Sequence, residues 1–299
     1  MAGEQNQKQR TFDVLPKPDK LISYRQTTRV VGGPAGGQTL GSSPRSPNHL
    51  LASLPTADFE FIRPHLRSVE LPHELVLARA GETIPRVYFP HTGVISLVVS
   101  LSEGEMVEVA LIGRDGVFGA SLVRDGATSL NDAMVQLPGI AFTLEVPQFR
   151  AAAERSALFR EALARQEQVV LIQAQQSAAC NAYHSVEARL SRWLLRMHDL
   201  FDSRTLPLTQ GFLAEMIGAR RNSVSLVAHT LQQAGFIRYS RGNIEIRNLE
   251  GLRETACECY ETVKLRCDAL AAVDVHRHTS PRIAPRARVG DSASWAERG

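Results

Sequence analysis

Five polar side chains crowd one short stretch of this sequence: Arg220, Arg221, Asn222, Ser223 and Ser225. Guanidinium, carboxamide and hydroxyl groups so spaced can bond base edges and phosphate oxygens if one rigid element presents them together. Val224, Val227, Ala228 and Leu231 recur at helical spacing through the same run and give it an apolar face to bury. A shorter periodic run precedes it, with Phe212, Leu213, Met216 and Ile217 apolar, Thr209 as N-cap and Gly218 as its end. After Gly235 the period changes to two. Phe236 to Tyr239, a turn over Ser240 to Asn243, and Ile244 to Ile246 form a strand, a Gly-containing turn and a strand. Leu208 to Ile246 therefore reads as a winged helix-turn-helix whose second helix, about 220–233, enters the major groove of double-stranded DNA. Arg238 and Arg241 place positive charge on the hairpin, along the phosphates, and Thr209, Arg220, Arg221, Asn222, Ser223 and Ser225 complete the expected DNA contacts.

Charge is distributed to suit that partner. The 299-residue chain carries a formal net charge of only +3, but Ser185 to Arg247 holds nine arginines against five acids, whereas Asn48 to Arg150 holds seven against twelve. The four cysteines, Cys180, Cys257, Cys259 and Cys267, follow no secretory signal, which fits a reduced, cytoplasmic setting. Cys257, Cys259 and Cys267 lack a paired C-x-x-C and a histidine within the usual reach on their helix. They are expected as buried or neutral thiols, with no metal site and no cofactor. No apolar run approaches the roughly 20 residues of a membrane helix.

The remaining elements must position this module. Residues 1–47 are rich in Gln, Gly, Pro, Ser and basic side chains and are expected to be disordered. Leu50 to Leu66 is helical, and then ELVLA, RVYF, GVISLVVS, MVEVALI, AMVQL and IAFTLE alternate with turn clusters, the pattern of an antiparallel β-roll over 48–150. Pro147 to about Leu200 reads as helical throughout, broken at most once near His184. Within it Val169, Ile172, Gln176, Ala179 and Tyr183 follow coiled-coil spacing, so 151–184 is expected to be a helix through which two chains pair, with Gln176 fixing the register. The module occupies 185–250, one further helix 251–270, and a disordered tail 271–299. The fold class is α+β.

In this order of parts the chain resembles the Crp/Fnr superfamily of bacterial transcription regulators over about residues 50 to 250. The resemblance is carried by RVYFPHTGVISLVV and VEVALIGRDGVFG in the roll, SVEARLSRWLLRM at the end of the long helix and LTQGFLAEMIGARRNSVSLVAHTLQQAGFI in the DNA module. It implies a homodimer on a near-palindromic site, contact with RNA polymerase, and a roll that receives a small-molecule effector. Arg221 matches the family's base-reading arginine and Ser223 a small hydroxyl residue facing phosphate. Asn222 stands where Glu is common and Leu226 where the cyclic-AMP receptor branch has Arg, so the half-site is expected to differ.

The nucleotide pocket departs from the family pattern. Gly119, Ala120, Ser121 and Leu122 lack the ribose-binding carboxylate, and Thr128, Ser129, Leu130 and Asn131 lack the phosphate-gripping arginine. A phosphate buried without a cation loses a charge-assisted contact, so tight cyclic-AMP binding is not expected. Cysteine before Cys180 is absent, against iron–sulfur sensing, and His65, His73 and His91 are read as surface residues rather than haem ligands. The effector is left unidentified. Two alternatives stand beside a sensing regulator: a constitutive DNA-binding regulator with a non-sensing roll, and a cupin-like metal enzyme, which the scattered histidines disfavour.

Overall fold

A computed structural model describes residues 46–124, 128–201 and 203–279. The expected tail over 1–47 lies, except for its last two residues, outside the described residues, as do residues 280–299. Helices α1 (His49–Ser53) and α2 (Thr56–Ile62) lead into β1 (Arg67–Leu71), β2 (Val76–Ala78), β3 (Arg86–Pro90), β4 (Val94–Ser100), β5 (Met106–Ile112), β6 (Asp132–Leu137) and β7 (Gly139–Glu145). The strands form two antiparallel sheets, ordered β1-β7-β3 and β2-β6-β4-β5. Strand β1, RSVEL, was not among the expected strands: its alternation is short and it follows the apolar helical run without a turn cluster.

The core between the sheets contains Val69, Leu71, Val87, Phe89, Ile95, Leu97, Ala133, Val135, Ala141 and Leu144. Leu51, Phe59 and Ile62 of the first helices belong to the same core. Asn48 fixes α1 to the roll: its carbonyl oxygen accepts from the Leu51 N–H at 3.1 Å, and its amide donates to the Pro90 and Gly116 carbonyls at 2.9 and 2.8 Å. Each of those buried polar atoms thus has a partner, without which desolvation would cost about 1–3 kcal/mol.

The expected long helix is three: α3 (Val146–Arg155), α4 (Ala157–Tyr183) and α5 (Val186–Phe201). The break at His184 was foreseen; the one at Ser156 was not. Ser156 leaves helical geometry at ψ 115, and its hydroxyl accepts from the Phe159 N–H at 3.1 Å, a side-chain cap that restarts the helix. Further along, the Gln173 carboxamide bonds both the N–H and the carbonyl of Leu111 at 3.1 and 3.2 Å. Leu111 lies on β5, an edge strand, so Gln173 takes the place of a neighbouring strand there.

Beyond α5 come β8 (Thr205–Leu206), α6 (Gln210–Met216), α7 (Arg221–Gln233), β9 (Ile237–Ser240), β10 (Asn243–Ile246), α8 (Leu249–Thr255) and α9 (Cys259–Thr279). The single helix expected over 251–270 is therefore two, separated at Ala256–Glu258, and helical backbone continues to Thr279, nine residues into the segment expected to be a tail.

The four-stranded sheet is buried on both faces, which is why β4 reads as a nearly unbroken apolar run. Ile95 and Leu97 point into the roll; Val94, Val98, Leu111, Met134 and Leu137 join Trp193, Leu200, Leu213, Met216 and Val224 in a second core. At its edge Glu108 of β5 is buried and accepts from Ser96 Oγ at 2.8 Å and Trp193 Nε1 at 2.9 Å. Nearby, Arg196 donates to Asp115 at 2.8 Å. Arg189 donates to the Ile217 carbonyl, and a Cβ on Gly218 would stand 3.1 Å from Val107 Cγ2, so the turn between α6 and α7 sits directly against the roll.

Burial pushes the Glu108 carboxyl from an ordinary 4.5 up to about 7, against the bonds from Ser96 and Trp193 that favour the ion. The folded chain then holds this proton more tightly than the unfolded chain. The resulting stability is full below the unfolded value and is lost as pH rises through about 7. Glu108→Gln retains an acceptor for Trp193 and does not titrate. Urea unfolding at pH 5 and pH 8 should show the wild type losing up to about 3 kcal/mol more than the variant across that interval; identical losses in both would remove Glu108 as the cause.

Candidate nucleic-acid interface

Helix α6 starts where Thr209 accepts from the Phe212 N–H at 3.3 Å and stops at Gly218, whose φ of 59 is left-handed. The Ala219 N–H then reaches back to the Ala214 carbonyl at 2.9 Å and closes the helix end. This tight stop aims α7 away from α6. Val224, Ala228 and Leu231 of α7 are buried in the second core, while Arg220, Arg221 and Asn222 lie at the outer side of its start and Ser223 is half-buried. Arg220 is the N-cap without a side-chain bond, and the first turn of α7 contains no acid. Two arginines at the positive end of a helix dipole repel that end, and a bound anion turns the same arrangement favourable.

The hairpin completes the surface. Its strands β9 and β10 pair Ser240 with Asn243 around a two-residue turn in which Arg241 and Gly242 have φ of 49 and 77. Positive φ at both positions is the turn that matches strand twist, and glycine or asparagine is the usual occupant. Arg241 therefore holds a left-handed conformation that costs a bulky L-residue about 1–2 kcal/mol. A Cβ on Gly242 would be 4.0 Å from Thr209 Cγ2, and one on Gly211 would be 4.0 Å from Arg221 Nε. The hairpin tip and the start of α7 thus both border the first turn of α6, on one surface.

Most of the residues expected at the DNA lie on this surface: Thr209, Arg220, Arg221, Asn222 and Ser223 at the helix ends, Arg238 and Arg241 on the hairpin. Ser225 is engaged internally, its hydroxyl donating to Gln210 Oε1 at 2.8 Å. Leu226, 68% exposed, stands out on α7. An exposed apolar side chain gains by meeting an apolar feature of a partner, of which a thymine methyl is one.

The residues expected to pair differ in exposure within the single chain. Val169, Ile172 and Gln176 are half-buried, Ala179 and Tyr183 exposed. Helix α9 packs along α4, and Gln176 Nε2 donates to Cys259 Sγ at 3.1 Å, so that amide is satisfied within its own chain rather than setting a register between two. The stripe left open is Ala164, Gln168, Leu171, Gln175, Ala178 and Ala182, about one residue earlier. Spacing alone could not tell that Gln176 would be engaged within its own chain, because α9 supplies its partner.

In the roll, Gly119, at φ 97, opens a short 3-10 turn, and Ser129 Oγ donates to the Asn131 carbonyl at 2.7 Å. His91, expected at the surface, is instead part-buried against Phe142 at 3.9 Å between ring centroids, and burial lowers its pKa to about 4. His73 Nδ1 bonds the Gln136 carbonyl at 2.9 Å.

Residues 188–255 match the model of the Crp-like helix-turn-helix domain. The fold is similar to FixK2 from Bradyrhizobium japonicum, at 17% identity and a TM-score of 0.55 over 64% of this chain and 98% of that one. It is also similar to the c-di-GMP-responsive global regulator CLP of Xanthomonas campestris, at 15% identity and 0.54 over 64% and 99%. A Crp/Fnr-family regulator of Thermus thermophilus follows at 23% and 0.53 over 63% and 97%. No curated protein sequence matches the chain. Residues 188–255 thus carry a Crp-like helix-turn-helix domain, and the chain shares the fold of these Crp/Fnr-type structures.

Arg241→Gly separates binding from folding. Glycine relieves the left-handed strain, so the Tm should stay level or rise, while DNA affinity falls and the salt slope of log K decreases by about one. Fluorescence anisotropy across a salt series reads the slope; an unchanged slope would take Arg241 off the phosphates.

Proposed function

We propose that the protein is a homodimeric, sequence-specific DNA-binding regulator that acts in the cytoplasm. The observation that carries this reading is the acid-free, doubly basic first turn of α7, exposed beside a hairpin tip that keeps an arginine in a strained conformation. In it Arg221 and Asn222 read base edges, Asn222 suiting adenine and Leu226 a thymine methyl, while Thr209, Ser223, Arg220, Arg238 and Arg241 hold phosphates. Two copies pair along the open face of α4 centred on Leu171 and Ala178 and span a near-palindrome with half-sites about one helical turn apart. RNA polymerase is the protein partner of this role where the regulator activates.

Signal reception, where it occurs, does not use cyclic AMP tightly, because the pocket segments supply neither the carboxylate nor the arginine. A cleft of about 600 Å³ among β5, α4, α5 and α9, bordered by Glu108, Arg192, Arg196 and Lys264, offers a different place for an effector. A ligand there shifts the recognition helices only insofar as it prefers one of their arrangements. A roll that senses nothing remains the alternative, favoured by the apolar filling between its sheets. The cupin-like alternative gains no support, since among the described residues His65, His73 and His91 form no ligand cluster.

Selection of bound sequences from a random DNA pool should return a palindrome with wild-type protein and a relaxed or absent motif with Arg221→Ala; weak, motif-free binding by both would count against sequence-specific recognition. Leu171→Glu should leave the circular dichroism spectrum intact and convert a sedimenting dimer to a monomer with a large loss of affinity for the full site. A dimer that survives this substitution places the pairing surface elsewhere.

A further inference from the structure

Three of the four cysteines and one histidine converge at the joint between α4 and α5. Cys180 lies in the last turn of α4, His184 is that helix's C-cap, and Cys257 and Cys259 border the link from α8 to α9. The three cysteines are buried, and one ligand atom from each of the four residues lies within 4.8 Å of all the others. Cys180 Sγ is 3.5 Å from Cys257 Sγ, and Cys259 Sγ is 3.4 Å from His184 Nδ1. A tetrahedral zinc, with Zn–S of about 2.3 Å and Zn–N of about 2.0 Å, sets sulfur pairs about 3.8 Å apart and a sulfur–nitrogen pair about 3.5 Å apart. Those two pairs are within a few tenths of an ångström of that geometry, and four ligand atoms all within 4.8 Å of one another are too close for thiolates spread around a polynuclear cluster.

The surroundings fit as well. His184 Nε2, the nitrogen turned away from the sulfurs, lies 3.2 Å from Glu258 Oε1, the carboxylate support that fixes the tautomer of a metal-bound imidazole. Gln176 Nε2 donates to Cys259 Sγ at 3.1 Å, a bond that steadies a thiolate. Arg189 and Arg192 lie close enough to interact electrostatically with Cys180 and offset the excess negative charge of three thiolates on one dication. Apolar packing of thiols explains neither the imidazole nor its carboxylate, and a disulfide between Cys180 and Cys257 leaves Cys259 and His184 without a role.

We propose that Cys180, His184, Cys257 and Cys259 form a closed site for one thiophilic divalent cation of the zinc class. Four protein ligands leave no open position, so the site is structural: it fastens the start of α9 to the end of α4, at the joint leading into the DNA module. Binding exchanges the three thiol protons for the metal, so affinity rises with pH.

The test uses the full chain, reduced and freed of metal by chelation, titrated with cobalt(II) and then zinc(II). The expected result is one equivalent of cobalt per chain with the visible bands of a tetrahedral thiolate complex, bleached by zinc. Cys267→Ser, outside the cluster, should behave as wild type; Cys259→Ser should lose the bands. Glu258→Gln changes an exposed residue and should keep the bands with affinity reduced about 10–100-fold. In the same series zinc should raise the Tm of the wild type and of Cys267→Ser but not of Cys259→Ser. No stoichiometric cobalt binding by a wild-type chain that circular dichroism shows to be folded would overturn the proposal, as would bands that survive in Cys259→Ser. A Cys180–Cys257 disulfide that persists under reductant, read by intact mass, would overturn it too.

Discussion

The outer face of the four-stranded sheet is where the roll and the helix-turn-helix share one core. A sheet in a two-layer roll ordinarily buries one face and wets the other. Here the second face is apolar and receives the helix-turn-helix, so that Val94, Val98 and Leu111 share a core with Met216 and Val224. Helix α6 rests on β5 and α7 packs on α6 and α5, so a movement of β5 meets α6 directly and reaches α7 through it. The buried Glu108–Trp193 bond adds direction to a contact that apolar packing alone would leave free to slide.

The surface proposed to face DNA obeys the opposite rule, retaining what costs stability. Unopposed arginines at a helix N-terminus, an arginine where a turn favours glycine and a leucine 68% exposed each oppose folding in isolation. They gain when a polyanion with an apolar groove feature is bound. Strain and unfavourable charge gathered on one surface mark that surface as the part that meets a partner.

Helix α4 divides its circumference into three faces. One face meets the roll through Phe159, Leu163 and Gln173, another lies under α9, and a third, running through Leu171 and Ala178, stays open. At its far end it brings Cys180 and His184 to Cys257 and Cys259, which lie more than seventy residues along the chain. The helix that spaces the roll from the DNA module is thus also the one to which the C-terminal helix is attached.

Local order in the sequence determined much of this protein. Periodicity located α6, α7 and the hairpin, since a helix with one buried face and a two-residue turn with Gly242 are decided by neighbours within a few positions, and the strands β2 to β7 follow from alternation and turn clusters. Arg221 and Asn222 could be named because exposure at a helix start is itself local. What depends on distant contacts was decided only by the tertiary structure. Ser156 restarts a helix inside an otherwise continuous pattern, because its cap competes with helix continuation on nearly equal terms. Gln176, within the stripe expected to pair, is engaged by Cys259 because α9 lies along α4. The cysteines looked ordinary by spacing, since a metal-ligand pattern is sought within one segment, whereas here the ligands come from the end of one helix and the start of another. No short-range pattern records that meeting; it exists only once α9 has packed.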